Sequence, residues 1–474
     1  MPANWSTFRE LLLPLTTPTS TTSAVPGSRG RVVESALREA IRTGRLAAGT
    51  RLPSSRDLAA QLGVARGTVT LAYTQLTAEG YLLSRRGSGT TVSGSVAGPD
   101  PTASPDAEPE TQWRYDLRPG LPALSAFPRA AWLAASRVGL AGLSDAELGY
   151  PDPAGLPQLR TELAAYLGRV RAVAATAADV AITHGSAEAT TLLTQVLHAA
   201  GHRTVAMENP HHPGLVGLFA THGLTPVPVP VDEDGLVVDA LAATGCRVVV
   251  VTPAHQFPLG VTMHPRRRSA LLDWARAVDG LIIEDDYDAE HRYDGAPISA
   301  LQAFDPSRVV YQGSASKTLA PALRIGWLVA PAALHPVLVE RKRLHDLGCS
   351  PLAQATMAQL LRDGGYDRHL RRTRQLYRQR RDALLGALAE HLPEWSPVGV
   401  AAGLHVVLRL PENTDDVALS RRLADRGVNA MALSIYVHES TRAPYPGLVL
   451  GYALLSPDRL RAAVAEIATA ARPA

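Results

Sequence analysis

The chain has 474 residues, 46% of them hydrophobic, enough for two or more domains with real cores. Its two cysteines, Cys246 and Cys349, stand in no CxxC pair, which excludes a disulfide framework and a structural zinc site and suits a reducing cytosol. No apolar run reaches membrane-spanning length, and Met1-Pro2-Ala3-Asn4-Trp5 has no basic segment followed by an apolar core. A soluble cytoplasmic protein with no membrane partner is expected. The formal net charge of +3 is unevenly spread: in residues 28 to 95 ten arginines face four acids, a surplus of six, so the remainder carries a deficit of three. A basic module joined to a mildly acidic one predicts a polyanionic partner for the first part only.

Residues 1 to 27, with a Thr/Ser/Pro-rich stretch ending at Gly27, read as an arm. The first helix has Val33, Ala36, Leu37, Ala40 and Ile41 at helical spacing and ends near Gly44. A second begins at Ser54-Ser55-Arg56-Asp57, where Ser54 and Asp57 fit a capping box, and buries Leu58, Ala59 and Leu62. After the turn Gly63-Val64-Ala65, a third helix turns Val69, Ala72, Tyr73 and Leu76 inward and stops at Gly80. Ser84-Arg85-Arg86-Gly87-Ser88-Gly89-Thr90 then reads as a glycine-tipped hairpin. This is the order of a winged helix-turn-helix, residues 28 to 95. Its third helix would enter the major groove of double-stranded DNA with Arg66 and Thr68 near its start. Ser54, Ser55 and Arg56 would grip the backbone, and Arg85, Arg86 and Gly89 would bring the wing to phosphate or minor groove. Residues 96 to 112 are proline-rich without apolar periodicity, a semi-rigid linker that spans up to roughly 50 Å when extended.

From residue 113 onward, apolar strand candidates alternate with helical patterns, as in a mostly parallel α/β sheet covered on both faces. The strands are placed at Val180 to Thr183, Thr204 to Met207, Val248 to Thr252, Leu281 to Glu284 and Val309 to Tyr311. A large domain is expected over about 150 to 345. A smaller one, containing a strand from Gly403 to Leu410, is expected from about 346 to 474 with part of 113 to 149.

Lys317 and Lys342 are the only lysines, arginine having taken nearly every other cationic position. A guanidinium stays protonated, whereas a lysine amine loses its proton and attacks a carbonyl, so Lys317 reads as a nucleophile. It follows the strand end Val309-Val310 and the turn Gly313-Ser314-Ala315-Ser316, with a helical pattern expected beyond. Ser314, Ser316, N–H groups at a helix start and Arg324 would together hold a phosphate dianion. One strand earlier, Glu284-Asp285-Asp286-Tyr287-Asp288 spills from the apolar run Leu281-Ile282-Ile283. A pyridoxal ring needs a carboxylate to keep its nitrogen protonated and gains from a phenol beside its ring oxygen; Asp285 and Tyr287 have that chemistry. An acidic strand end taken alone also fits a metal site or a solvated loop.

The phrases "LGYPDPAGLPQLRTELAAYL", "TPAHQFPLGVTM", "EDDYDAEHRYDG" and "YQGSASKTLAPALRIGW", in this order, resemble the class I aminotransferases of PLP fold type I. With "LPSSRDLAAQLGVARGTVTLAYTQLTAEGYL", the whole chain resembles the MocR-type branch of the GntR family, in which a winged helix-turn-helix is fused to an aminotransferase-like domain. The resemblance implies pyridoxal 5′-phosphate held on Lys317, with Asp285 at the pyridine nitrogen and Tyr287 at the ring hydroxyl. It places the phosphate on Ser314, Ser316, Arg324 and the Gly185-Ser186-Ala187 turn, and brings Tyr150 to it from the partner of a head-to-tail, domain-swapped homodimer. Where GntR winged helices often carry a serine, this chain has Ala65, so one phosphate contact is expected to be missing.

Where aminotransferases place an asparagine before the proline, this chain has Phe257; His255 or Gln256 substitutes, or His255 is a buried structural histidine. His212 stands where the branch commonly has a tyrosine, either covering the cofactor or lying in a surface loop. Related enzymes bind the substrate carboxylate through an arginine in a late strand, and Gly447-Leu448-Val449-Leu450-Gly451-Tyr452-Ala453 has none, Arg442 being nearest. Members that sense GABA have an arginine at the position of Gly214. Both losses argue against amino-acid transamination and against GABA. They leave pyridoxal phosphate or an amine adduct as effector, as in PdxR-like members that control vitamin B6 synthesis; a working aminotransferase with an appended winged helix is the alternative. Six arginines between His369 and Arg381 read as a solvated helix face rather than a second DNA contact.

Overall fold

The computed structural model describes residues 28–85, 89–94, 113–293 and 298–472. They fall into two compact units that divide between residues 111 and 112. The arm, the linker and Arg86 of the wing lie outside the described residues.

The first unit holds α1 (Ser28–Arg42), α2 (Ser55–Leu62), α3 (Arg66–Ala78) and the hairpin of β1 (Leu82–Arg85) with β2 (Gly89–Val92). The periodicity read from the sequence marks its core. Val33, Leu37, Leu58, Val69, Ala72, Tyr73 and Leu76 are buried together, and Leu82 and Val92, paired across the hairpin, close the cluster. The Ser54 hydroxyl accepts the Asp57 N–H at 3.2 Å and donates to its carboxylate at 2.6 Å, starting α2. Gly63, at φ 63°, stops it in the left-handed conformation and sends its N–H to the Ala59 carbonyl. The Tyr73 hydroxyl donates to the Pro53 carbonyl at 3.0 Å and so fixes α3 against the approach to α2.

The second unit runs β3 (Tyr115–Asp116), α4 (Arg129–Ala141), α5 (Pro157–Arg171), β4 (Val180–Thr183), α6 (Ser186–Ala199), β5 (Thr204–Asn209), α7 (Pro213–Thr221), β6 (Thr225–Asp232) and β7 (Gly235–Leu236). It continues through α8 (Val238–Ala243), β8 (Val248–Val251), α9 (Pro265–Ala277), β9 (Leu281–Asp286), β10 (Val309–Ser314) and β11 (Gly326–Val329). These strands form a sheet of order β4-β11-β10-β9-β8-β5-β6-β7, with β10, β9, β8, β5 and β6 parallel. Its centre is apolar on both faces, as a doubly covered sheet requires. Along β8, Val248 and Val250 pack with α6 and α7, while Val249 and Val251 pack with α8 and α9.

Then come α10 (His335–Asp346), α11 (Pro351–Arg362), α12 (Gly365–His391), β12 (Ser396–Val398), β13 (His405–Arg409), α13 (Asp416–Asp425), β14 (Val428–Asn429), β15 (Met431–Ala432), β16 (Gly447–Gly451) and α14 (Pro457–Ala471). β12, β13, β16 and β15 form an antiparallel sheet, and β14 pairs with β3.

Cys349, Met357, Leu360, Tyr366 and Leu370 pack in the core around Tyr311 and Trp327, while Tyr377, Leu384 and Leu388 pack in a second core, so α12 runs from one to the other. Two sequence expectations change here. No α-helix follows Lys317. Pro321 holds Ala320 extended (φ −161°, ψ 140°), and the chain turns through a short 3-10 segment to return as β11 beside β10. The arginines of α12 are not a simply solvated face. Arg372, Arg374 and Arg378 donate to the carbonyls of Ala126, Glu290 and Tyr293 at 2.8, 2.8 and 3.1 Å, and Arg380 to that of Ala453. They tie the helix to surrounding loops.

Candidate functional site

Two groups of predicted residues come together, one in each unit. In the first, the amino termini of α2 and α3 lie side by side, with the Arg66 Nε 3.5 Å from the Ser55 hydroxyl. Ser54 caps α2 and Arg56 stands exposed one residue into that helix. Ala65 is the N-cap of α3 and gives it no side-chain hydrogen bond. Thr68 is half-buried with its methyl group against Gly30; the outer face of α3 instead presents Thr70 and Leu71, which is 72% exposed. Sequence reasoning passed over both, although an apolar residue out of phase with the buried set is a legible signal. At the wing base, Gly89 has φ 89°, and an added Cβ would lie 3.0 Å from the Arg51 Nε. Arg51, also passed over, thus joins exposed Arg85 at the hairpin.

In the second unit the lysine site forms at the ends of β9 and β10. Side chains alternate along a strand, so Asp285 faces away from Glu284 and Asp286. The Lys317 Nζ donates to the Gly120 carbonyl at 2.5 Å. Gly120 has φ 83°, and a Cβ there would approach the amine to 3.3 Å. Burial pushes the Lys317 amine below the ordinary lysine value, against the opposing pull of Asp288 and Asp285. The rate of attack on an aldehyde is therefore expected to rise with pH around a midpoint below that of free lysine, about 10.4. A stopped-flow pH profile of cofactor loading checks this.

Asp285 is pushed up to about 6 by burial, while the Gln312 side chain holds it down. Beside it, the Tyr287 hydroxyl is 3.1 Å from His255 Nδ1, which also meets the Asp288 carboxylate at 3.0 and 3.2 Å. With Nδ1–H given to Asp288, the phenol keeps its own proton for a ligand. His405 packs 5.2 Å from the His255 ring, donates Nε2–H to the Pro258 carbonyl at 2.9 Å, and is lowered to about 4 by burial. His255 is therefore buried within a polar network that orients Tyr287. Asp288 and His405 are additions that the sequence reading lacked. The approach depends on Gly403, φ 70°, where a Cβ would overlap His255 Cε1 and Asp288 Oδ2. Gly403→Ala is expected to displace His255, cost about 1–3 kcal/mol of stability and shift the cofactor spectrum, read by thermal melting and absorbance.

The turn before α6 supplies the other end of the site. Gly185 (φ 82°) packs against the Arg324 guanidinium, both Nη atoms lying 3.1 Å from where a Cβ would sit, and Arg324 donates to the His184 carbonyl. Ser186 and Ala187 open α6, so their N–H groups have no partner within the helix. Ser314 ends β10 and its Oγ accepts the Ser316 N–H at 3.4 Å. The helix terminus that meets Arg324 is thus that of α6, not one following Lys317. His212 caps α7 through a 3.1 Å bond from the Gly214 N–H; its ring lies 5.7 Å from Phe257, and burial and Lys317 lower its pKa. Tyr150 is 88% exposed, apart from these groups within the chain.

Residues 30–92 match the family model for bacterial regulatory proteins of the gntR family, and residues 122–467 match that for aminotransferase class I and II. The HTH-type pyridoxine biosynthesis transcriptional regulator PdxR of Corynebacterium glutamicum is 35% identical, covering 92% of this chain and 94% of its own length. The probable rhizopine catabolism regulatory protein MocR of Rhizobium meliloti is 34% identical, covering 92% of each chain. Among solved structures, an archaeal alanine:glyoxylate aminotransferase superposes with a TM-score of 0.69 at 29% identity, covering 75% of this chain and 90% of its own. A multiple substrate aminotransferase from Thermococcus profundus gives 0.69 at 28%, covering 77% and 92%.

A winged helix with basic groups at its helix ends, joined to a lysine-centred α/β domain, defines a class of DNA-binding proteins with a cofactor-holding effector domain. The chain belongs to the GntR-family transcriptional regulators of the MocR type, with an aminotransferase-like domain of PLP fold type I. That domain takes pyridoxal 5′-phosphate. The residues present fit the group. A half-buried carboxylate raised to about 6 calls for a cationic ring nitrogen, and a glycine cradle beside Arg324 and the α6 terminus calls for an anion.

Proposed function

We propose that this regulator senses pyridoxal phosphate, or its adduct with an amine, and sets operator affinity accordingly, with genes of vitamin B6 metabolism as its targets. Lys317 would hold the cofactor, Asp285 its ring nitrogen and Tyr287 its ring hydroxyl. Ser186, Ala187, Ser314, Ser316 and Arg324 would take the phosphate, with His212 over the ring and His255 holding Tyr287. The cofactor supplies an electron-withdrawing ring; the chain binds, orients and desolvates it. Arg56, Arg66, Arg85 and the amino terminus of α2 would bind DNA in the cytoplasm.

One observation carries the sensing reading over an enzymatic one. β16 is a buried run of Gly447, Leu448, Val449, Leu450 and Gly451, and it offers no arginine to clamp a substrate carboxylate. The relative named for regulating pyridoxine biosynthesis supports vitamin B6 as the subject. Tyr150, exposed in the single chain, is suited to reach the phosphate in a head-to-tail homodimer.

The test is operator binding by cofactor-free, cofactor-loaded and amine-treated protein, with amino-donor turnover assayed in parallel. Affinity that differs between states without multiple turnovers supports sensing. Equal affinities with sustained turnover would instead establish an aminotransferase carrying a winged helix.

A further inference from the structure

A crevice of about 310 Å³ opens where α5, the start of α12 and residues 289 to 292 meet, lined by Arg169, Arg171, Arg292, Arg371 and Arg374. The lining acids are Glu290 and Asp367, leaving a surplus of positive charge. The lysine site uses none of these residues. Arg171 is only 2% exposed; its Nε binds Asp286 Oδ2 at 2.6 Å and its Nη1 the Ile298 carbonyl, yet its Nη2 has no hydrogen-bond partner among the described residues. A buried guanidinium N–H left unpaired is costly, so it calls for an acceptor. Arg371, exposed on the same wall, has no hydrogen-bond or ion-pair partner among the described residues. Arg169 is held by Asp367 at 2.8 Å and Arg374 by the Glu290 carbonyl, so both are already positioned.

We propose that this crevice is a second anion site, taking the phosphate of a small phosphomonoester. Guanidinium groups reach the crevice from α5, from α12 and from the 289–292 segment, and several arginines around one cavity favour a dianion such as phosphate over a single-charged carboxylate.

Its position gives the site a consequence. Arg171 and the Tyr311 hydroxyl both donate to Asp286 Oδ2, at 2.6 and 2.7 Å, and Asp286 adjoins Asp285 on β9. The crevice also lies at the part of α12 where the helix leaves one core for the other. An anion bound there reaches both the strand that carries Asp285 and the helix joining the two domains.

The experiment is equilibrium dialysis of the full-length protein, saturated with pyridoxal phosphate, against radiolabelled orthophosphate. One additional phosphate per chain is expected. Arg371→Glu, an exposed change whose melting temperature checks folding, is expected to weaken it at least tenfold, and Arg371→Lys, which keeps the charge but not the planar fork, to weaken it less than Arg371→Glu does. Competition with glycerol 3-phosphate and with pyridoxine 5′-phosphate separates a polyol ester from a vitamer ester as the source. No phosphate beyond the cofactor's own, binding indifferent to Arg371→Glu (an adventitious ion only), or displacement by neither ester would overturn the proposal.

Discussion

Lys317→Ala is expected to abolish borohydride-stable attachment of the cofactor and to weaken its retention by roughly tenfold or more, about 1.4 kcal/mol at the least. The amine stands half-buried with Gly120 as its hydrogen-bond acceptor and with Asp285 and Asp288 as the nearby charges that act on it. Alanine removes the nucleophile but leaves the α6 terminus, Arg324 and Asp285 in place, so residual non-covalent binding should persist. Lys317→Arg should fail in the same assay, because a guanidinium does not give up its proton. Intact-mass spectrometry after reduction, with visible absorbance, reads both variants. A Lys317→Ala protein still carrying a reduced adduct at one per chain would move the nucleophile elsewhere, and Lys342 is the one other lysine. Lys342 is buried and paired with Glu188 at 3.1 Å and Asp346 at 2.5 Å, which keeps its amine protonated.

Arg66→Ala is expected to cost about 1–3 kcal/mol in operator binding while leaving the fold of the first unit intact. Arg66 is the first residue of α3, exposed, and its side chain meets the Ser55 hydroxyl at the long distance of 3.5 Å. Its removal opens no cavity, since Arg66 is exposed at the start of the helix and the core of this unit is built from Val69, Ala72, Tyr73 and Leu76 further along it. Fluorescence anisotropy at several salt concentrations then distinguishes two roles. Loss of one phosphate contact weakens all sequences alike and lowers the salt slope by about 1, whereas loss of a base contact relaxes specificity at one position.

Most of the architecture was legible because two periodicities are written plainly. The inward residues of α1, α2 and α3 follow helical spacing, and β8 is four valines. The strand positions bearing Asp285, Ser314 and the Gly185 turn were legible for the same reason, since functional groups sit where apolar runs end. What escaped was everything set by contacts distant in sequence. Gly120 meets Lys317 across 197 residues, and Gly403 admits the His255–Asp288 pair from a different domain. The arginines of α12 showed no local sign that their partners would be carbonyls of other loops. The helix expected after Lys317 failed for a local reason that propensity underweighted: Pro321 enforces an extended residue before it, and β11 must return beside β10.

In the proposed sensing role, pyridoxal phosphate acting at Lys317 would set DNA affinity. This role is tested most directly by titrating the cofactor into the wild-type protein bound to labelled DNA from upstream of its own gene and neighbouring genes, recording anisotropy and visible absorbance in one sample. Lys317→Ala serves as control. Affinity is expected to change in step with the absorbance, and Lys317→Ala to show neither change; an affinity that stays constant while the cofactor loads would rule the sensing role out.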